Sequence, residues 1–290
     1  MKRIFTVIAI IILIAAGSPA QAENSGPGLN VFVSIPPQKY FVKQIAGDRA
    51  DIRVMVSPGA HPATYEPTPR QMAALAESDI YFAVGVPFES AWMDKIRKAN
   101  PDLAIVHTGA WIEKQPIDRA ESAGHAHGGK DPHIWLSPPL VMIQARHMAT
   151  AFIAADPQHA EFYNSRYRQF VSELGELDAK LRSLFPPGEK TPEFLVFHPS
   201  WGYFADAYGL KQIPVEKAGK SPKSAEIQQL IKHARQKKIQ TVLVQPQVSS
   251  RAAEVIARAI DGSVVDADPL AANWRENLLS VAEQIRQAAR

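Results

Sequence analysis

Residues 158–184, QHAEFYNSRYRQFVSELGELDAKLRSL, decide how this 290-residue chain is built. Phe162, Tyr163, Tyr167, Phe170, Val171, Leu174, Leu177 and Leu181 recur mostly at steps of three and four, the spacing that lines one face of a helix. Gly175 is the only glycine in the run, and Phe185-Pro186-Pro187-Gly188 stops it. The 27 residues predict a helix of roughly 40 Å, longer than one small domain needs. Such a helix is either a coiled-coil arm or a spine between two lobes.

What flanks it favours the spine. Short β-branched runs at 30–35, 51–56, 80–84 and 103–107 precede it, and runs at 194–198, 210–215, 241–245 and 263–266 follow it. Amphipathic stretches such as 38–46, 68–77, 224–236 and 252–260 lie between these runs. Strands alternating with helices argue for α/β units with parallel sheets. The expected division is a leader at 1–22, an α/β lobe at 23–155, a linking helix at 156–188 and a second α/β lobe at 189–290.

The leader has its own signature. Lys2 and Arg3 precede an apolar run at 4–16 broken only by Thr6, and Ala20-Gln21-Ala22 forms a small-x-small site before Glu23. Thirteen residues fall short of the roughly 20 that cross a bilayer, so a cleaved secretory leader is expected rather than an anchor. Cleavage after Ala22 would leave a protein in an extracytoplasmic space, most simply a periplasm. Losing Lys2 and Arg3 lowers the formal charge from +3 to +1, which excludes a nucleic-acid binder built on excess basic charge. The chain has no cysteine, so thiolate zinc sites, disulfides, thiol catalysis and lipid attachment at an N-terminal cysteine are all excluded. A bound metal must rely on His, Asp, Glu or carbonyl oxygen.

Nine histidines are available. His147, His159 and His233 fall in helical patterns and read as ordinary structural or surface residues. His125 and His127 belong to a Gly-rich polar segment, Glu121 to Lys130, that reads as a mobile surface loop. His61, His107, His133 and His198 fall at loops or strand ends. In open α/β sheets, ligands bind beyond the carboxyl ends of the strands, so facing lobes would bring these histidines to one cleft. Glu66, Asp266 and Asp268 supply nearby carboxylates. Imidazole with carboxylate suits zinc and tolerates other first-row divalent ions.

Four ordered motifs sharpen this. Gly59-Ala60-His61-Pro62-Ala63-Thr64-Tyr65-Glu66-Pro67-Thr68-Pro69 comes first, then Asp131-Pro132-His133-Ile134-Trp135-Leu136-Ser137-Pro138. His198-Pro199-Ser200-Trp201-Gly202-Tyr203-Phe204 and Asp268-Pro269-Leu270 follow. Together, and over nearly the whole chain after the leader, they resemble the zinc/manganese solute-binding proteins of ABC transporters, the ZnuA/TroA-like group. The resemblance implies two Rossmann-like α/β lobes with parallel sheets joined by one long rigid helix, with one metal ion in the cleft. It further implies His133 and His198 as ligands and Asp268 as the carboxylate ligand. The first motif departs from the family pattern, which places a ligand histidine where this chain has Ala63. His61, two residues upstream, is the expected replacement; Glu66, His107 or a water are the alternatives. Ser137 stands where relatives often carry Asp, a change expected to act behind the ligands.

Three imidazoles and one carboxylate favour Zn2+ over Mn2+. The expected role is a periplasmic, monomeric zinc receptor that delivers the ion to a membrane permease driven by a cytoplasmic ATPase. It is not expected to be an enzyme. A metallohydrolase is the weaker rival: Glu66 could serve as its base, yet there is no His-Glu-x-x-His and no Gly-x-Ser-x-Gly elbow. A zinc buffer without a transporter is the third reading. A long connecting helix offers few hinge residues, so a small lobe closure is expected.

Overall fold

A computed structural model describes residues 28–117, 129–188, 191–216, 220, 222–247 and 251–288. The expected leader and the pair His125 and His127 lie outside the described residues.

All eight expected strands form. The first lobe holds β1 (Leu29–Val33), β2 (Ala50–Val54), β3 (Ile80–Ala83) and β4 (Ala104–His107). The second holds β5 (Glu193–Val196), β6 (Lys211–Pro214), β7 (Thr241–Val244) and β8 (Ser263–Asp266). Each set makes one parallel sheet, in the orders β2-β1-β3-β4 and β6-β5-β7-β8. In both, the chain moves outward to one side and then crosses back, which opens a crevice between the first and third strands. β3 is buried at every position because helices cover both faces, the reason its sequence is a continuous apolar run.

Helices α1 (Pro36–Ala46), α2 (Pro69–Ala76), α3 (Pro87–Ala99) and α4 (Pro138–Ala155) serve the first lobe. Each has proline in its first turn, where the missing N–H costs nothing. α2 also starts with a capping box: the Gln71 amide donates to Thr68 Oγ1, and the Thr68 amide donates to Gln71 Oε1.

The linking helix α5 runs over Ala160–Leu184, 25 residues or about 38 Å. Pro157–His159 forms a separate 3-10 turn, so the helix starts two residues later than the expected 158. There the Asp156 carboxylate accepts hydrogen bonds from His159 Nδ1 and Tyr163 Oη, each at 2.8 Å. Tyr163, Phe170, Leu174, Leu177 and Leu181 are its buried stripe. Gly175 sits mid-helix, and a Cβ there would meet only Met142 Cε at 4.0 Å. Gly175→Ala is therefore expected to stabilise the protein by about 0.5–1 kcal/mol, read as a higher urea midpoint with an unchanged slope. A lower midpoint would show that the helix needs the glycine.

Beyond α5 come α6 (Gly202–Ala207), α7 (Ser224–Lys237), α8 (Arg251–Ala259) and α9 (Trp274–Ala288). α9 follows the second lobe in sequence but packs back on α5 and α1. Its Trp274 ring lies 4.9 Å from that of Phe41, edge to face, and Phe41 in turn meets Phe170 at 6.1 Å. One apolar core thus runs through the first lobe, α5, α9 and one face of the second sheet, where Phe194, Val196, Phe204 and Leu243 belong to it, while a smaller one lies on the other face, between β5, β7, α7 and α8.

Hydrogen bonds staple the lobes beside the cleft. Trp135 Nε1 donates to the Pro269 carbonyl and Trp274 Nε1 to the Trp135 carbonyl, both at 2.7 Å. Tyr203 Oη accepts from the Gln115 amide at 3.0 Å and donates to the Asp131 carbonyl at 3.1 Å. Both indoles are buried, so each N–H needs such a partner. Among the described residues, no helix is long and apolar enough to cross a membrane.

Candidate metal centre

The loops that leave the carboxyl ends of the two sheets meet around a cavity of about 260 Å³. His61 reaches it from the loop after β2. His133 comes from the turn before α4, and His198 from the loop after β5. All three line the cavity. The rings of His133 and His198 have centroids 5.3 Å apart, and those of His61 and His198 are 5.7 Å apart. An imidazole bound to zinc through Nε2 places its centroid about 3.2 Å from the ion, so two such rings at the tetrahedral angle lie about 5.2 Å apart. The observed spacings are close to that geometry.

The hydrogen bonds on Nδ1 divide the three rings. His133 Nδ1 is 2.6 Å from Asp131 Oδ1, and His198 Nδ1 is 2.5 Å from Glu216 Oε1. An ionised carboxylate can only accept, so both rings donate from Nδ1 and keep an Nε2 lone pair for a metal. His61 differs. The Ala63 amide donates to its Nδ1 at 3.1 Å, which leaves the proton of the neutral ring on Nε2. His61 must give up that bond, or turn, before it ligates through Nε2. Consistent with this, no three His, Asp or Glu side chains among the described residues already close around one ion.

Burial pushes the pKa of His133 down, and the attraction of Asp131 only partly restores it. Burial also lowers that of His61, helped by repulsion from His198. Both rings therefore stay neutral, and able to ligate, to a lower pH than a free imidazole.

Asp268 is the expected ligand that the structure does not bring to the cavity wall. Its Oδ1 accepts from Gln247 Nε2 at 2.8 Å and from the Leu270 amide at 2.9 Å, so it shapes the loop whose Pro269 and Leu270 do line the cavity. Two of the alternatives, Glu66 and His107, are exposed and lie outside the lining. Ala63 is on the wall itself. Ser137 is buried just ahead of α4. The helical histidines have local partners, with His147 bonded to the Ala110 carbonyl, His159 to Asp156 and His233 to Glu193.

Sequence reasoning missed Asp131 and Glu216. Asp131 had a signal, because it stands two residues before His133 and also accepts from the His133 amide at 2.9 Å. Glu216 had one only through the sheet. β5 and β6 pair in parallel with an offset of 18 residues, from Glu193 with Lys211 to Val196 with Pro214. Carried two residues further, that register sets His198 beside Glu216.

Two parallel α/β lobes facing each other across a histidine-lined cleft define a two-lobed ligand receptor. The family model described as "Zinc-uptake complex component A periplasmic" matches residues 31–288, and the chain belongs to that family. It is thus a substrate-binding protein of the metal ABC transporter class, whose members take zinc or manganese. A high-affinity zinc uptake system protein ZnuA of Bacillus subtilis (strain 168) is 27% identical over 276 residues, spanning 89% of this chain and 84% of the relative. A manganese ABC transporter substrate-binding lipoprotein PsaA of Streptococcus anginosus is 28% identical over 278 residues, spanning 89% and 86%. Among solved structures, a crystal structure of ZnuA has a TM-score of 0.84 at 37% identity, covering 91% of this chain and all of that one. A zinc-bound ZnuA deletion mutant scores 0.83 at 38% identity, covering 90% of this chain and 98% of that one.

Proposed function

We propose that the protein is a periplasmic zinc receptor that holds the ion in the interlobe cleft on His61, His133 and His198. It acts as a monomer, freed from its leader after Ala22, and releases zinc to a membrane ABC permease driven by a cytoplasmic ATPase. The observation that supports this reading is one cavity lined by imidazoles from both lobes, with the His198 ring 5.3 Å from that of His133 and 5.7 Å from that of His61. An imidazole set suits zinc, whereas manganese prefers carboxylate, carbonyl and water oxygens. Asp268, tied to Gln247 and the Leu270 amide, shapes the wall, and the fourth position on the ion is left to solvent or a co-ligand.

The hydrolase reading loses support because Glu66, its expected base, is exposed and away from the cavity. A zinc buffer would use the same site; neighbouring genes for an ATPase and a permease would favour transport. The division of the chain at 155/156 and 188/189 belongs to this reading, with α9 packing back on the linking helix.

Titrating metal-free protein with zinc tests the proposal. One tightly bound zinc per chain is expected at neutral pH, and no uptake across the titration would sink it. Because burial depresses the pKa values of His61 and His133, proton competition at these two rings should set in at a lower pH than for a free imidazole, and zinc affinity should fall as the pH drops through and below the imidazole range.

The carboxylates behind the rings give a second test. Glu216→Ala frees the His198 ring and is expected to weaken zinc binding about 10–100-fold. Wild-type affinity in that variant would show that Glu216 does not orient the ligand.

A further inference from the structure

The cleft holds more space than one ion needs. A water takes about 30 Å³ in the liquid, so a cavity of about 260 Å³ has room for a small organic molecule beside the metal. Three imidazoles leave at least one position on zinc unfilled. Position 63 offers only the methyl of Ala63, and Asp268 stands outside the cavity lining with its Oδ1 tied to Gln247 and the Leu270 amide.

The rest of the wall is chemically divided. Val86, Trp135 and Leu270 form an apolar side, and Lys130 contributes a cation. Gln247 also lines the cavity, and its Oε1 is buried without a hydrogen-bond partner among the described residues. Its Nε2 is committed to Asp268, which fixes the amide with this oxygen unused. An unpaired buried acceptor calls for a donor from whatever fills the space.

We propose that the cleft takes zinc as a complex with one free α-amino acid. The amine nitrogen and a carboxylate oxygen chelate the ion over Ala63, which makes it five-coordinate. The carboxylate faces Lys130, an amine N–H donates to Gln247 Oε1, and the side chain rests on Val86, Trp135 and Leu270. The amine binds as the neutral base, and the proton it loses goes to solvent. This rests on the cleft being the zinc site.

Equilibrium dialysis tests it. Metal-free protein is dialysed against zinc-65 with and without a mixture of the twenty carbon-14-labelled L-amino acids. One zinc per chain is expected in both arms, with about one labelled amino acid retained per chain only when zinc is present. Ala63→His, in an exposed loop position, places an imidazole in the vacant space and should keep zinc while cutting retained label at least tenfold. Zinc held without label, or label retained equally without zinc or in Ala63→His, would overturn the co-ligand. No zinc in either arm would overturn the zinc site as well, so the two failures are distinct.

Discussion

His133→Ala is expected to lower zinc affinity by more than about 100-fold in a competition titration against a chromogenic chelator. Removing an orienting partner alone typically costs 10–100-fold, and here the ligand itself goes. The ring also satisfies Asp131, whose buried carboxylate would keep the residue 133 amide as its remaining donor at this position. His198→Ala should behave alike, because it removes the ligand that Glu216 holds. His61→Ala should cost less, roughly tenfold. Its ring gives up the Ala63 amide bond on ligating, and a bond of that kind is worth about 1 kcal/mol net. Equal losses at His61 and His133 would mean that the Ala63 contact does not restrain His61. Full affinity without His61 would mean that His61 does not compensate for the alanine at 63.

The second large effect concerns the joint between the lobes. Trp274 is fully buried, meets Phe41 edge to face, and donates to the Trp135 carbonyl, while Trp135 donates across to Pro269. Trp274→Ala opens a cavity in the core shared by α1, α5 and α9 and leaves a buried carbonyl without its donor. A loss of about 3–5 kcal/mol is expected for truncating a core tryptophan, measured by urea unfolding. That is a large share of a stability of about 5–15 kcal/mol. The same staples, with the single long helix, leave little backbone free to rotate. Metal-free and zinc-bound wild-type protein should therefore differ by only a small lobe rotation in solution scattering. A loss below about 1 kcal/mol in Trp274→Ala would show that α9 is not a joint.

The strands were legible because parallel sheets covered on both faces demand apolar runs such as Ile80-Tyr81-Phe82-Ala83, and the connecting turns punctuate them. The long helix was legible because one stripe of large side chains survives over its 25 residues. Its start was not, because Gln158 and His159 are polar and carry no apolar periodicity that would separate a 3-10 turn from the first turn of an α-helix. The return of α9 to α5 was hidden for a different reason: an amphipathic helix states that it has a buried face, never which partner covers it.

At the cleft, location gave His61, His107, His133 and His198, since strand-end loops converge, and three of the four line the cavity. Chemistry beyond location depended on contacts between distant residues. Glu216 reaches His198 only through the register of β5 and β6, and Asp268 is held by Gln247, 21 residues earlier. Residue type alone gives neither pairing.

A crystal grown with zinc, with diffraction recorded on both sides of the zinc absorption edge, tests the central claim most directly. One anomalous peak is expected in the interlobe cleft, about 2.0–2.1 Å from Nε2 of His61, His133 and His198. A peak bound by histidines of one lobe alone, or lying outside the cleft, would contradict it.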